Sequence, residues 1–201
     1  MNNVPNLLLA AGASRRMGTP KQLLPWNGKT LIEHQIETLL ETDQEVYVVL
    51  GAYANRILPF LKPYPVHTLI FDQWSLGMGN TIAFAMADII KKQISIQGVL
   101  IALIDQPFVD TAHYKSLHTG FREGKQQLIV SVSEKGWEGV PALFDKFYFQ
   151  ELLNLKGEQG AKKLIQSTKK KVTKLNAGPL LVDMDTPEVY AALYKKINLR
   201  L

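Results

Sequence analysis

Leu7-Leu8-Leu9-Ala10-Ala11-Gly12-Ala13-Ser14-Arg15-Arg16-Met17-Gly18-Thr19-Pro20-Lys21-Gln22-Leu23-Leu24-Pro25-Trp26 is the stretch on which the reading of this chain turns. It begins as a short apolar run, as a buried strand does. It then breaks at Ala11 and Gly12 into a loop of small residues that carries Arg15, Arg16 and Lys21. A strand feeding such a loop suits phosphate: small side chains let backbone N–H groups approach phosphate oxygens, and cations offset the charge that grows as a phosphate bond breaks. Gly12 and Gly18 would supply the close approach, Arg16 and Lys21 the charge. The Gly-Lys-Ser/Thr run of the Walker loop and the three spaced glycines of the dinucleotide fingerprint are both absent.

Outward from this stretch the chain reads as one domain over residues 1–201, with 46% hydrophobic and 20% charged residues. The absence of cysteine excludes disulfides and thiolate metal ligands. No cationic region precedes the first apolar run, and no run approaches the roughly 20 residues that span a bilayer. The expectation is a cytoplasmic protein with no membrane partner. An excess of 23 basic over 18 acidic residues gives +5, which suits anionic small molecules. The surplus gathers late, at Lys162, Lys163, Lys169 to Lys171, Lys174, Lys195 and Lys196, as solvated faces without the interleaved aromatics of a nucleic-acid surface.

Thr30-Leu31-Ile32-Glu33 is a capping box that starts a helix running to about Leu40. Glu45 to Leu50 is a strand, followed by a helical stretch that Pro59 should end, and His67 to Phe71 is the next strand. Strand and helix alternate in the rhythm of parallel strands with crossover helices on both faces. Phe71-Asp72-Gln73-Trp74-Ser75-Leu76-Gly77-Met78-Gly79-Asn80-Thr81 opens a helix that Asn80 or Thr81 could cap, leaving free N–H groups aimed into the crevice. Gly98 to Leu103 is an apolar strand ending at Asp105-Gln106-Pro107. A carboxylate at that end of a central parallel strand faces the crevice and can hold Mg²⁺ against nucleotide phosphates, although an Asp in a proline turn also serves its own backbone. Asp110 or Thr111 caps a helix to about Phe121, and Leu128 to Ser133 is another strand. Near the C-terminus, Val182-Asp183-Met184-Asp185 reads as a strand with both aspartates on one face, and Thr186-Pro187 starts a helix to about Asn198. His34, His67, His113 and His118 fit no metal-ligand spacing.

Leu-Ala-Ala-Gly-x-Ser-x-Arg-Met-Gly-x-x-Lys-x-Leu-Leu-Pro, met at every fixed position from Leu9 to Pro25, resembles the nucleotide loop of the small nucleotidyltransferases. Within that superfamily, Asp105-Gln106-Pro107 and Asp183-Met184-Asp185-Thr186-Pro187-Glu188 make the chain most similar to the molybdenum cofactor cytidylyltransferases. The resemblance implies an α/β three-layer sandwich with a mostly parallel sheet, the Rossmann-like fold of nucleotide-diphosphosugar transferases. It implies transfer of CMP from CTP to molybdenum-bound molybdopterin, with pyrophosphate released and a molybdenum hydroxylase as recipient of the product. It places Ala10, Ala11, Gly12, Ala13, Ser14, Arg16 and Lys21 around the triphosphate. Gly77, Gly79, Asn80 and Thr81 then lie at the base and ribose, with Asn80 where the family has Ser. Asp105 and Asp185 become ligands of Mg²⁺ or Mn²⁺, and Arg16, Lys21 and Asp105 the catalytic set.

Two looser segments, Gly139-Val140-Pro141-Ala142-Leu143-Phe144 and Gly157-Glu158-Gln159-Gly160-Ala161-Lys162, are similar to family segments at the acceptor substrate. They offer Gly139, Pro141 and Lys162, with Asp183 in support; Lys162 is a point charge where the family's Arg would be a fork. The Ala11 side chain, where the related guanylyltransferases have Gly, implies less room for a purine. The rival readings are another nucleotidyltransferase, whether guanylyl transfer to molybdopterin or transfer to a sugar or polyol phosphate, and a non-catalytic cofactor carrier. A carrier has no need of Lys21 and two metal-binding aspartates.

Overall fold

A computed structural model describes residues 3–168 and 172–198, so Lys169 to Lys171 of the late basic cluster lie outside the described residues. In chain order the elements are β1 (Asn6–Ala10), a small hairpin of β2 (Pro25–Trp26) and β3 (Lys29–Thr30), α1 (Leu31–Leu40), β4 (Val46–Leu50), α2 (Ala54–Leu61) and β5 (His67–Ile70). Then come α3 (Met78–Lys92), β6 (Gly98–Leu103), α4 (Thr111–Gly120), β7 (Leu128–Ser133) and β8 (Glu138–Asp145). The chain continues through α5 (Phe149–Leu153), α6 (Gly160–Ser167), β9 (Val172–Gly178) and α7 (Pro187–Asn198).

Both β1 and β4 are buried along their whole length, as strands covered on two faces must be. Their side chains alternate between two cores. Leu8, Ala10, Val48 and Leu50 pack with Leu100 of β6 under Ile32 and Ile36 of α1, Ile57 of α2 and Leu117 of α4. Leu7, Leu9, Val49 and Ile101 pack on the other face under Ile82, Met86 and Ile89 of α3, Leu152 of α5 and Ile165 of α6. The result is the three-layer α/β sandwich that the sequence implies.

The main sheet has the strand order β5-β4-β1-β6-β8-β7-β9. β1 is parallel to β4 and β6, β4 to β5, and β7 to β9, while β8 runs antiparallel to both β6 and β7. From β1 the chain steps outward to β4 and β5, then returns to lay β6 on the other side of β1. Strand order therefore reverses at β1/β6, and a crevice opens beyond their carboxyl ends, where open α/β sheets bind ligands.

Three local expectations are corrected. The helix expected to stop at Pro59 runs through it to Leu61. A proline in a last turn forfeits one backbone bond, and the burial of Ile57 and Leu61 in the core holds the turn closed. Residues 182–185 are not a strand. Their backbone is tied by the Met184 N–H donating to Asp105 O at 2.8 Å, while the Met184 side chain is fully buried. Neither Asn80 nor Thr81 caps α3: its N-cap is Gly77, and both residues sit inside the first turn.

Candidate active site

The loop after β1 takes its shape from one buried side chain. Gln22, with no exposed surface, donates from Nε2 to Ala10 O at 2.8 Å and to Gly12 O at 3.1 Å, pinning both ends of the turn. Ser14 takes the left-handed conformation at φ 50°, and its hydroxyl accepts the Lys21 N–H at 3.1 Å. Among the described residues, the backbone N–H groups of Gly12, Ala13 and Ser14 make no hydrogen bond. The loop thus offers three unspent donors beside Arg15 and Arg16.

Across the switch point, α1 holds the turn after β6. Gln35 donates to Gln106 O at 2.9 Å and His34 Nε2 lies 3.2 Å from Pro107 O, so the Asp105 side chain is fixed at the floor of the crevice. Lys21 is 8% exposed, and its Nζ donates to Asp105 Oδ2 at 3.1 Å and Asp185 Oδ1 at 2.9 Å. Arg16 reaches Asp185 Oδ2 at 2.8 Å from the open side. Asp183 stands one step back, accepting from Gln106 Nε2 at 3.0 Å. Two carboxylates, a buried ammonium and an exposed guanidinium thus converge from residues 16, 21, 105 and 185.

The two carboxylates are not equivalent. Burial pushes the Asp105 carboxyl above the ordinary range; Lys21 pulls it down, and the nearby Asp183 and Asp185 push it up again. Burial also opposes ionisation of Asp185, but Lys21 and Arg16 outweigh it and hold that carboxyl below the ordinary range. Asp105 Oδ1 is buried with no hydrogen-bond partner. An orphaned carboxylate oxygen beside a second carboxylate fits a magnesium-type cation, which takes one or two carboxylates and completes its shell with phosphate and water. No group of three or more His, Asp or Glu side chains arranged for a metal occurs among the described residues. The histidines are engaged elsewhere: His67 with Glu45, His113 with Ser131 and His118 with Asn6.

A cleft of roughly 420 Å³ opens here, within the usual range of small-molecule sites. Ala11, Gly12, Ala13, Ser14, Arg16, Lys21, Gly77, Thr81, Asp105 and Asp185 line it. Ala10, Gly79 and Asn80 do not, and neither do Gly139, Pro141, Lys162 and Asp183. Of the backbone N–H groups expected to face the crevice at the start of α3, that of Gly79 is spent within the protein. The Gly79 N–H donates to Gly157 O at 2.7 Å, and Asn80 Oδ1 accepts the Gly157 N–H at 2.8 Å. A Cβ at Gly139 would meet the end of the Trp137 ring at 2.5 Å. Trp74, Ser75, Met78 and Glu158 line the cleft without having been assigned a role from sequence. All four fall inside the segments quoted above, so the signal lies in the sequence. Gln22 is detectable only as a polar residue wedged between Lys21 and an apolar pair.

A cationic loop and paired carboxylates lie at the switch point of a sheet with the nucleotide-diphosphosugar transferase fold. The chain belongs to the MobA-like NTP transferase domain family, whose model matches residues 6–172. It is 28% identical over 201 residues to purine catabolism protein PucB of Bacillus subtilis, covering 92% of each chain. It is 36% identical over 124 residues to nicotine blue oxidoreductase of Paenarthrobacter nicotinovorans, covering 61% of this chain and 59% of that one. With a probable molybdenum cofactor guanylyltransferase of Rhodopirellula baltica, identity is 33% over 129 residues, covering 62% and 59%. The match thus spans about three fifths of the length of these last two relatives. Rv0371c of Mycobacterium tuberculosis in complex with manganese superposes with a TM-score of 0.80 at 24% identity, covering 96% of this chain and 99% of that one, a likeness of fold. No helix among the described residues is long and apolar enough to cross a membrane.

Proposed function

We propose that the chain transfers CMP from CTP to the phosphate of molybdenum-bound molybdopterin, forming molybdopterin cytosine dinucleotide and pyrophosphate. The observation that carries this reading is the Lys21 ammonium held between Asp105 and Asp185 at the mouth of a loop with free N–H groups. In the reaction an oxygen of the pterin phosphate attacks the α-phosphorus of CTP, and the bond to the β-phosphate oxygen breaks. The attacking phosphate is already anionic, so Coulomb repulsion between two polyanions is the obstacle, and cations matter more than a base.

Asp105 and Asp185 are the residues that would hold Mg²⁺ or Mn²⁺; when bound, the ion supplies positive charge against the triphosphate. Backbone N–H groups of Gly12, Ala13 and Ser14 bind phosphate oxygens. Lys21 neutralises the α-phosphate as five-coordinate charge develops, and Arg16, 71% exposed and paired with Asp185 on the open side, meets the departing pyrophosphate. The manganese in the neighbouring Rv0371c structure supports a divalent ion. The pterin acceptor rests on the relatives named as probable molybdenum cofactor guanylyltransferases.

The base preference rests on Ala11, which lines the cleft at the position where the family resemblance implies glycine in the guanylyl branch. GTP as donor is the second reading, favoured by the names of those same relatives. CTP or GTP labelled at the α-phosphate, incubated with the protein, Mg²⁺ and molybdenum-loaded molybdopterin, separates the two. Label moving from CTP into a pterin dinucleotide is the expected outcome; label moving from GTP alone reverses the base assignment.

A further inference from the structure

Residues 77–80 and 156–160 are remote in sequence yet form one unit. The Gly157 peptide is gripped on both sides, its carbonyl accepting from Gly79 N and its N–H donating to Asn80 Oδ1. The approach leaves no room for side chains: a Cβ at Gly77 would lie 2.5 Å from Gly157 C, and one at Gly79 would lie 2.8 Å from Lys156 C. Gly160, at φ +51°, packs on Met78 in the same way, a Cβ there meeting Sδ at 2.7 Å. The next residue after the gripped peptide is Glu158, which lines the cleft and makes no ion pair among the described residues.

Glu158 is an exposed carboxylate on the rim of the cleft, where it repels phosphate and can accept a hydrogen bond from a neutral donor. Nucleosides carry such donors, as ribose hydroxyls or as an exocyclic amine on the base, and acidic side chains read ribose in this way in other nucleotide folds. The apolar wall beside Glu158, built from Trp74, Gly77 and Met78, suits a base or sugar better than a phosphate.

We propose that Glu158 is a specificity-determining residue that accepts a hydrogen bond from a donor on the nucleoside, and that Asn80 is a positioning residue that holds the Glu158 turn in place. This inference rests on the nucleotide-binding reading of the cleft. Asn80 acts through the Gly157 peptide and touches no substrate.

Equilibrium titrations of the full chain with the Mg²⁺ complexes of CTP, UTP, 2′-deoxy-CTP, 3′-deoxy-CTP and inorganic tripolyphosphate test it. Glu158→Ala is expected to weaken CTP binding by about tenfold or more while leaving tripolyphosphate unaffected. The analogue that lacks the donor should bind wild type and variant alike. UTP in that role identifies the amine, and a deoxynucleotide identifies the hydroxyl. Asn80→Ala should reproduce the selective loss, Asn80→Asp, which keeps the accepting oxygen, should restore it, and the double variant should be no weaker than Glu158→Ala alone. Equal CTP affinity in wild type and Glu158→Ala, or a uniform loss across every ligand, overturns the inference. Should wild type bind no nucleotide, the nucleotide-binding reading itself falls and takes this one with it.

Discussion

Lys21 is a nearly buried ammonium between two carboxylates, and it is the cation that Asp105 and Asp185 share. Replacing it with methionine leaves the buried Asp105 with no cation and Asp185 with Arg16 alone. Lys21→Met should therefore cost about 1–3 kcal/mol of stability in a denaturant titration, because removing one partner strands the other charges. Turnover should fall by about a hundredfold or more. Asp105→Asn is the cleaner chemical test. It keeps shape and relieves the burial that pushes this carboxyl up, so the fold should survive by circular dichroism while turnover disappears. Near-normal activity would remove Asp105 from the reacting centre. These residues were legible because charged side chains beside a small-residue loop, or at the end of an apolar strand, have few structural uses. The contact between Asn80 Oδ1 and the Gly157 N–H is one that no local pattern announces.

At the scale of elements, what the sequence specifies locally is what it predicts well. The capping box at Thr30 is present in both directions, with the Thr30 hydroxyl accepting the Glu33 N–H and Glu33 accepting the Thr30 N–H. Thr30→Ala should cost about 1 kcal/mol in the same titration. The alternation of apolar and acidic residues over 182–185 predicts a strand. The alternation is real, with Met184 buried and Asp183 exposed, but among the described residues no strand pairs with it. Alternation reports burial of every second side chain and leaves the hydrogen-bond partner unspecified. The glycines at 77 and 79 looked like donors to a ligand and are points of backbone crossing instead. Gly79→Ala should lower stability by about 1–3 kcal/mol, since its Cβ would press on the main chain of Lys156. A neutral outcome in thermal unfolding would mean the 156–160 turn yields easily.

For the whole molecule, the strand order puts residues from both ends of the chain around one crevice, and burial elsewhere tunes its stability with pH. His118 lies against Asn6 with its pKa lowered to about 4 by burial. The unfolded chain takes up this proton near the ordinary histidine value, and the folded chain resists until about pH 4. Stability from this group is therefore present at neutral pH and declines as pH falls through that window, by up to about 1.4 kcal/mol per pH unit. His118→Gln, which keeps a donor for Asn6, should flatten the fall in urea midpoint between about pH 7 and pH 5. An unchanged slope would show that other groups carry it. The central claim concerns the crevice, and pyrophosphate release tests it most directly: the protein with Mg²⁺ and either CTP or GTP, each with and without molybdenum-loaded molybdopterin. Release that needs both CTP and the pterin is the expected result. No release from folded protein under any of the four combinations would contradict nucleotidyl transfer to molybdopterin.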